Sequence, residues 1–229
     1  MHMDVLPIRR IDHETMSQRV YRDLRELIMS GQAQPGQRLT LKSLSEALGT
    51  SQMPVREALR QLAAEGALEF LANKSVRVPE MTRTKFQELL AIRKAVEGLA
   101  VERAAQIVTV AELEEMQLHH NIFKKEVLKK NPDPGIAIES NMRLHFAAYR
   151  AAQMPSLMVI IEGLWLQVGP VLNLDMRSGS LRLTQGPALQ HHEALMQAMR
   201  AHDPIQARNA LTGDLDEAAD FILSLDRLK

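Results

Sequence analysis

Residues 35–66, PGQRLTLKSLSEALGTSQMPVREALRQLAAEG, read as two short helices joined by a tight turn. In the first, Thr40 is the N-cap candidate, Leu41, Leu44, Ala47 and Leu48 are apolar, and Gly49 is the stop. The second opens at Ser51 and tolerates Pro54, because first-turn amides have no acceptor within the helix. Its apolar face is Val55, Leu59, Leu62 and Ala63, which leaves Arg56 and Arg60, four residues apart, on the opposite side. Helix, Gly-containing turn and second helix with a basic outer face make a helix-turn-helix pattern, whose second helix fits the DNA major groove. An isolated αα-hairpin with solvated arginines would look the same, so the flanks decide.

Upstream, Thr15 to Ser30 is predicted as a helix, with a Thr15–Gln18 capping box, a Val20, Leu24, Leu27, Ile28 stripe, and Gly31 as terminator. Downstream, Leu68–Leu71 and Val76–Val78 are short strand candidates around the polar turn Ala72-Asn73-Lys74-Ser75. Three helices followed by a β-hairpin predict a winged helix-turn-helix. At these residues the chain resembles the GntR family of bacterial transcription regulators. That family's Pro-Gly-x-x-Leu turn, Leu-Gly helix end, Ser-Arg-Thr-Pro-Val-Arg-Glu-Ala-Leu run and x-x-Leu-x-x-x-Gly tail correspond here to PGQRL from Pro35, ALG from Ala47, SQMPVREAL from Ser51 and RQLAAEG from Arg60.

The resemblance implies DNA contacts by Lys42, Ser51, Gln52, Met53, Arg56 and the Lys74-Ser75 wing tip. Two positions depart from the family: Gln52 replaces the usual Arg, removing one phosphate or base contact. Ser75 replaces the usual wing-tip Gly, which limits close approach of the wing backbone to the minor groove.

Composition bounds the remaining possibilities. A length of 229 residues favours two domains, divided here as 1–79 and 80–229. Aromatics are only 3 % while Met, Leu and Ala abound, which suits helices packed through unbranched side chains. The absence of cysteine excludes disulfides, thiolate metal sites and a cysteine nucleophile. A net charge of zero argues against promiscuous polyanion binding, and the slight basic excess before Val78 has the right sign for DNA but is too small to carry the case. No secretory leader pattern opens the chain, so a cytoplasmic location is expected. Leu157–Leu174 approaches a membrane-spanning length, yet Glu162, Gln167, Gly169, Pro170 and Asn173 interrupt it. It is read as a buried bundle helix that Pro170 bends or ends.

After Pro79 the strand signals vanish. Helices are predicted at about residues 84–107, 111–130, 135–153, 155–173, 184–202 and 204–228, with loops at 131–135 and 175–186. The fold class is therefore mainly α: a winged helix-turn-helix followed by an all-α antiparallel bundle. This second half resembles the FCD group of GntR regulators, whose effector domain is such a bundle. The group's Arg-x-x-x-Glu appears as Arg93 and Glu97, its Asp-x-x-x-His as Asn141 and His145, its His-Glu helix as His192-Glu193, and its final His falls on Asp214.

The family's metal ligands, one Asp and three His, would here be Asn141, His145, His192 and Asp214, so the carboxylate has moved rather than vanished. Asn141 and His145, at i and i+4, share a helix face, and a bundle can bring His192 and Asp214 to it. Nitrogen and oxygen donors of this kind suit Zn first, with Ni or Mn also compatible. On the residues alone, a metal-free cluster of mutually bonded polar groups remains open. An inward Arg93 needs an anion; Glu97 could supply it, or a ligand carboxylate could, and the resemblance favours the latter. His191, His119, His120 and His202 are read as peripheral.

The resemblance implies a ligand-responsive regulator, not an enzyme, that binds a pseudo-palindromic operator as a homodimer and answers to a small carboxylate effector. The competing class is a metal-dependent hydrolase, against which stands the lack of a dedicated general base, phosphate loop or nucleophile elbow. A metal-free regulator of the same architecture is the third reading.

Overall fold

The computed structural model describes residues 14–72, 75–177, 187–225 and 227–229. Its first helix, α1 (Met16–Met29), starts with the capping box expected at Thr15 and Gln18 and ends before Gly31, whose φ of 63° is left-handed. α2 (Leu41–Ala47) is capped by Thr40, whose hydroxyl accepts from the Ser43 amide at 3.1 Å. Gly49, at φ 62°, turns the chain into α3 (Gln52–Ala64), with Ser51 at the N-cap. Val55, Leu59 and Leu62 are buried along one side of α3.

The wing is a three-stranded antiparallel sheet in the order β1-β3-β2, made of β1 (Arg38–Leu39), β2 (Glu69–Phe70) and β3 (Val76–Arg77). Only β2 and β3 are expected from the sequence. β1 lies in the PGQRL stretch, where two strand residues are too few for an alternating pattern. It is held by tertiary pairing: Gly36 N–H donates to Val78 O at 2.9 Å, and Val78 N–H to Gln37 O at 3.0 Å.

The second half contains α4 (Arg83–Ile107), α5 (Val110–Val127), α6 (Pro134–Arg150), α7 (Pro155–Arg177), α8 (Pro187–Arg200) and α9 (Pro204–Ser224). Thr82, Thr109, Asp133 and Asp203 each cap a helix with their side chains. Two expectations are corrected. α7 passes Pro170, as the helix predicted to residue 173 does, but runs on to Arg177, so only residues 178–186 of the expected 175–186 loop remain, and they lie outside the described residues. The final helix ends at Ser224, because the last residues turn back to pair with the approach to α4: Arg83 N–H donates to Lys229 O at 2.9 Å, and Lys229 N–H to Met81 O at 3.1 Å.

By length and composition α7 could cross a membrane, with a mean hydropathy of 1.4 over Pro155–Leu172. It spends that apolarity inside the bundle, burying Leu157, Ile161, Trp165, Leu166, Val168 and Val171.

One hydrophobic core crosses both halves, joining Leu24, Ile28, Leu59 and Leu62 to Tyr149, Ile161, Trp165 and Leu166. α1 packs on α3 with one side and on α7 with another. Against α3, Tyr21 Oη bonds the Glu65 carboxylate at 2.8 Å; against α7, Arg25 Nη2 bonds Glu162 Oε2 at 2.7 Å. The α1–α7 seam closes on Gly169, where an added Cβ would lie 2.7 Å from Met29 O and 2.8 Å from its Cα. Backbone rather than a flexible tip stands in the way. Gly169→Ala should therefore destabilise the protein by about 1–3 kcal/mol, the usual cost of overpacking. A chemical-denaturation midpoint unchanged from the parent would contradict this contact.

Candidate functional site

The exposed face of α3 comes first. Ser51, Gln52, Met53 and Arg56 are all exposed at its start, and Lys42 is exposed on the first turn of α2. Met53 is 61 % exposed, on the same exposed first turn as Gln52. Among the described residues Arg56 makes no hydrogen bond or ion pair, so its guanidinium projects freely beside them. Lys74 lies outside the described residues. Ser75 is a correction: it is 6 % exposed, and its carbonyl accepts from the Leu71 amide at 2.9 Å, so it closes the wing turn from inside rather than presenting its side chain at the tip.

The second region is the polar centre of the bundle. Among the described residues His145, His192 and Asp214, from α6, α8 and α9, form the one cluster whose donor atoms all fall within 4.8 Å of one another, and all three residues are buried. His145 Nε2 stands 3.2 Å from Asp214 Oδ2, close to the roughly 3.3 Å between two ligands at 2.0–2.1 Å from a tetrahedral ion. The His145 and His192 rings meet edge to face at 5.2 Å. Asn141, one turn before His145, lines the same cavity of about 40 Å³, beside Arg93, Trp165 and Asp214. That volume admits an ion and a few waters, or the carboxylate end of a ligand.

Arg93 is buried within this centre. Its Nε and Nη2 bond the two Glu97 oxygens at 2.6 and 3.2 Å, and its guanidinium carbon lies 5.0 Å from the centre of the Trp165 ring. Burial works against the Arg93 charge, but the charge and hydrogen bonds of Glu97 more than offset it, so its pKa is raised. Tyr149 Oη donates to Glu97 Oε2 and lies 3.4 Å from His145 Nδ1. Burial first, then Glu97, raises the Tyr149 pKa well above 10, so the phenol keeps its proton.

Tyr149 gives its proton to Glu97, so toward His145 it can only accept, which suits a proton on Nδ1. With that tautomer Nε2 turns a lone pair toward the Asp214 carboxylate 3.2 Å away, an arrangement that a cation between them would satisfy. His192 strengthens the case for a cation. Both of its ring nitrogens are buried without a hydrogen-bond partner among the described residues, and burial lowers its pKa to about 3, so it is a neutral imidazole with an available lone pair. Two neutral imidazoles and a carboxylate suit Zn, Ni or Mn.

The structure thus brings together Asn141, His145, His192 and Asp214, and places Arg93 with Glu97 beside them. It also changes the reading of His120, which is buried with its ring 6.1 Å from His192 and Nε2 3.5 Å from Glu193 Oε1. His191 instead bonds Glu217 at 2.8 Å, and His202, at φ 51°, bonds Ala105 O. Tyr149, Trp165 and Met29 are site residues that the sequence reading does not include. Tyr149 had a usable signal, standing four residues after His145 on one helix.

Residues 16–78 match the family model described as bacterial regulatory proteins, gntR family, and residues 88–217 match the FCD domain. The chain belongs to the GntR family. It is a transcriptional regulator of the FCD type, and its relatives carry names of regulators rather than enzymes. Its sequence is 30 % identical over 205 residues to the HTH-type transcriptional regulator McbR of Escherichia coli K12, covering 88 % of this chain and 90 % of that protein. It is 29 % identical to a probable D-xylose utilization operon transcriptional repressor of Paenarthrobacter nicotinovorans, over 89 % of this chain and 87 % of the other. The solved structure of E. coli McbR/YncC superposes with a TM-score of 0.87 at 28 % identity, covering 93 % of this chain and 99 % of that one. A GntR regulator from Rhodococcus sp. RHA1 shares the fold, with a TM-score of 0.75 at 22 % identity over 92 % of this regulator and 99 % of that chain.

The Arg93–Glu97 pair is 3 % and 0 % exposed at its side chains, so neither charge can turn to water if the other is removed. Glu97→Ala should lower stability by about 3–5 kcal/mol, the usual cost of stranding one buried charge. Denaturant titration checks this, and a loss under about 1 kcal/mol would mean that Arg93 reaches solvent or another anion.

Proposed function

We propose that this regulator binds a pseudo-palindromic operator as a homodimer and that a small carboxylate, held at a divalent metal in residues 80–229, controls its affinity for DNA. Residues 1–79 then form the DNA-binding domain, and the regulator works in the cytoplasm. Support for the metal rests above all on His192, whose two ring nitrogens lack partners among the described residues while His145 and Asp214 face the same point. His145, His192 and Asp214 would hold the ion, and Asn141 would close the fourth side as a weaker oxygen donor. Zn fits first, and Ni or Mn also match the donor set. When bound, the metal would offer its open positions to a ligand carboxylate.

Arg93 would orient that carboxylate. Glu97 occupies Nε and one N–H of Nη2, while Nη1 makes no hydrogen bond to a described residue, leaving its two N–H groups for a ligand. For the dimer, the exposed Ile92 and Leu99, seven residues apart on one side of α4, supply an apolar strip for a second copy. At the operator, Lys42, Ser51, Gln52, Met53 and Arg56 would meet the major groove and its phosphates.

Two experiments test the halves separately. Arg56→Ala should weaken specific operator binding by about 1–3 kcal/mol, as for one lost base or phosphate contact. Titrations of both proteins at one salt concentration decide it, and equal affinities would remove Arg56 from the interface. For the metal, a chelator should lower the melting temperature of the parent, because an ion that binds only the folded bundle stabilises it by mass action. His192→Ala should abolish that shift. Protein that carries no Zn, Ni or Mn by mass spectrometry, and whose melting curve ignores all three when added, would leave a metal-free polar cluster as the better account.

A further inference from the structure

Of the residues lining the cavity beside the His145, His192 and Asp214 cluster, all but one come from the helices of the second half. The exception is Met29, from the last turn of α1. The wall thus contributed belongs to the winged half, on the helix that carries α3. Tyr21 of α1 bonds Glu65 at the end of α3, and Ser17 bonds Glu57, the neighbour of Arg56.

We infer that Met29 is a ligand-contact residue through which occupancy of the cavity is transmitted to the recognition helix. The inference rests on the metal and carboxylate reading above and adds a site residue from the DNA-binding half. A volume of about 40 Å³ is filled by an ion with its waters, which brings them against every wall, Met29 included, and a larger ligand must push a wall back. Arg93 and His145 are locked by Glu97 and Tyr149, and Trp165 is 4 % exposed within the shared core. Met29 has an unbranched, three-rotor side chain, the most adaptable kind. It stands where the seam is closed by backbone against Gly169, a contact with no side-chain end to give way. A ligand that gains or loses contact with Met29 as α1 moves has a different affinity for the two positions of α1, which is the condition for shifting their populations.

Amide hydrogen exchange over residues 24–33, read with and without zinc in the full-length protein, tests this, with Trp165, the chain's single tryptophan, reporting zinc binding by fluorescence. In the parent, zinc should change exchange in this segment by about tenfold, as for a local opening equilibrium shifted by the same factor. Met29→Ala should lose most of the exchange response at zinc concentrations that saturate its own Trp165 signal. Zinc binding to the parent with no response in residues 24–33, or an undiminished response in Met29→Ala, would overturn the inference and leave the metal reading intact. No zinc binding by the parent would instead overturn the metal reading. A metal-independent pair then decides the role of Met29: Ala218→Leu, which fills the cavity from α9, should speed exchange in the same segment, and adding Met29→Ala should reverse it. Failure of that reversal would sink the inference on its own.

Discussion

A guanidinium inside a helical bundle requires an anion, and much of the second half is arranged around that requirement. Arg93 meets Glu97 one turn along α4, Glu97 accepts from Tyr149 of α6, and Tyr149 faces His145, which faces Asp214 of α9. Each group in this series leaves the next with one defined role as donor or acceptor. Three helices are thereby tied at one level. Desolvation of these groups costs free energy that a leucine core would not incur. The proposed ligand site would be what justifies that cost.

Sequence legibility followed the range of the interaction. The caps at Thr15, Thr40 and Thr109 involve residues three apart, and all three are readable from the sequence. Arg93–Glu97 and Asn141–His145 are likewise one turn apart, whereas the convergence of His192 and Asp214 on them was suggested by family resemblance and required the packed bundle to be seen. β1 escaped notice because a two-residue strand exists only through its partner. Burial of Ser75 and His120 was illegible for a similar reason: a polar side chain in a polar run carries no mark of what packs over it. Pro170 lies inside the predicted helix and inside the observed one, and only the last turn of α7, from 174 to Arg177, lies beyond what the sequence indicated.

The DNA-facing side shows a different economy. Ser51, Gln52, Met53 and Arg56 are exposed, and Arg56 makes no contact with described residues, so the face retains its bonding capacity for a partner. The central cluster is held in fixed orientations by buried neighbours. Preorganisation suits recognition of a small ligand, and unspent surface suits recognition of a long polyanion.

The continuous core also bears on how such regulators diversify. Leu24 and Ile28 of the winged half share their burial with Ile161 and Trp165 of the bundle, so a cut between the halves would expose apolar surface on both sides. Grafting this winged half onto another effector bundle therefore means carrying a complementary α7 face with it, including a small residue at the position of Gly169. Operator preference can drift through the exposed residues of α3 at little cost to the fold. The surface where α1 meets α7 must change on both partners together, which makes it the slower-moving part of the molecule.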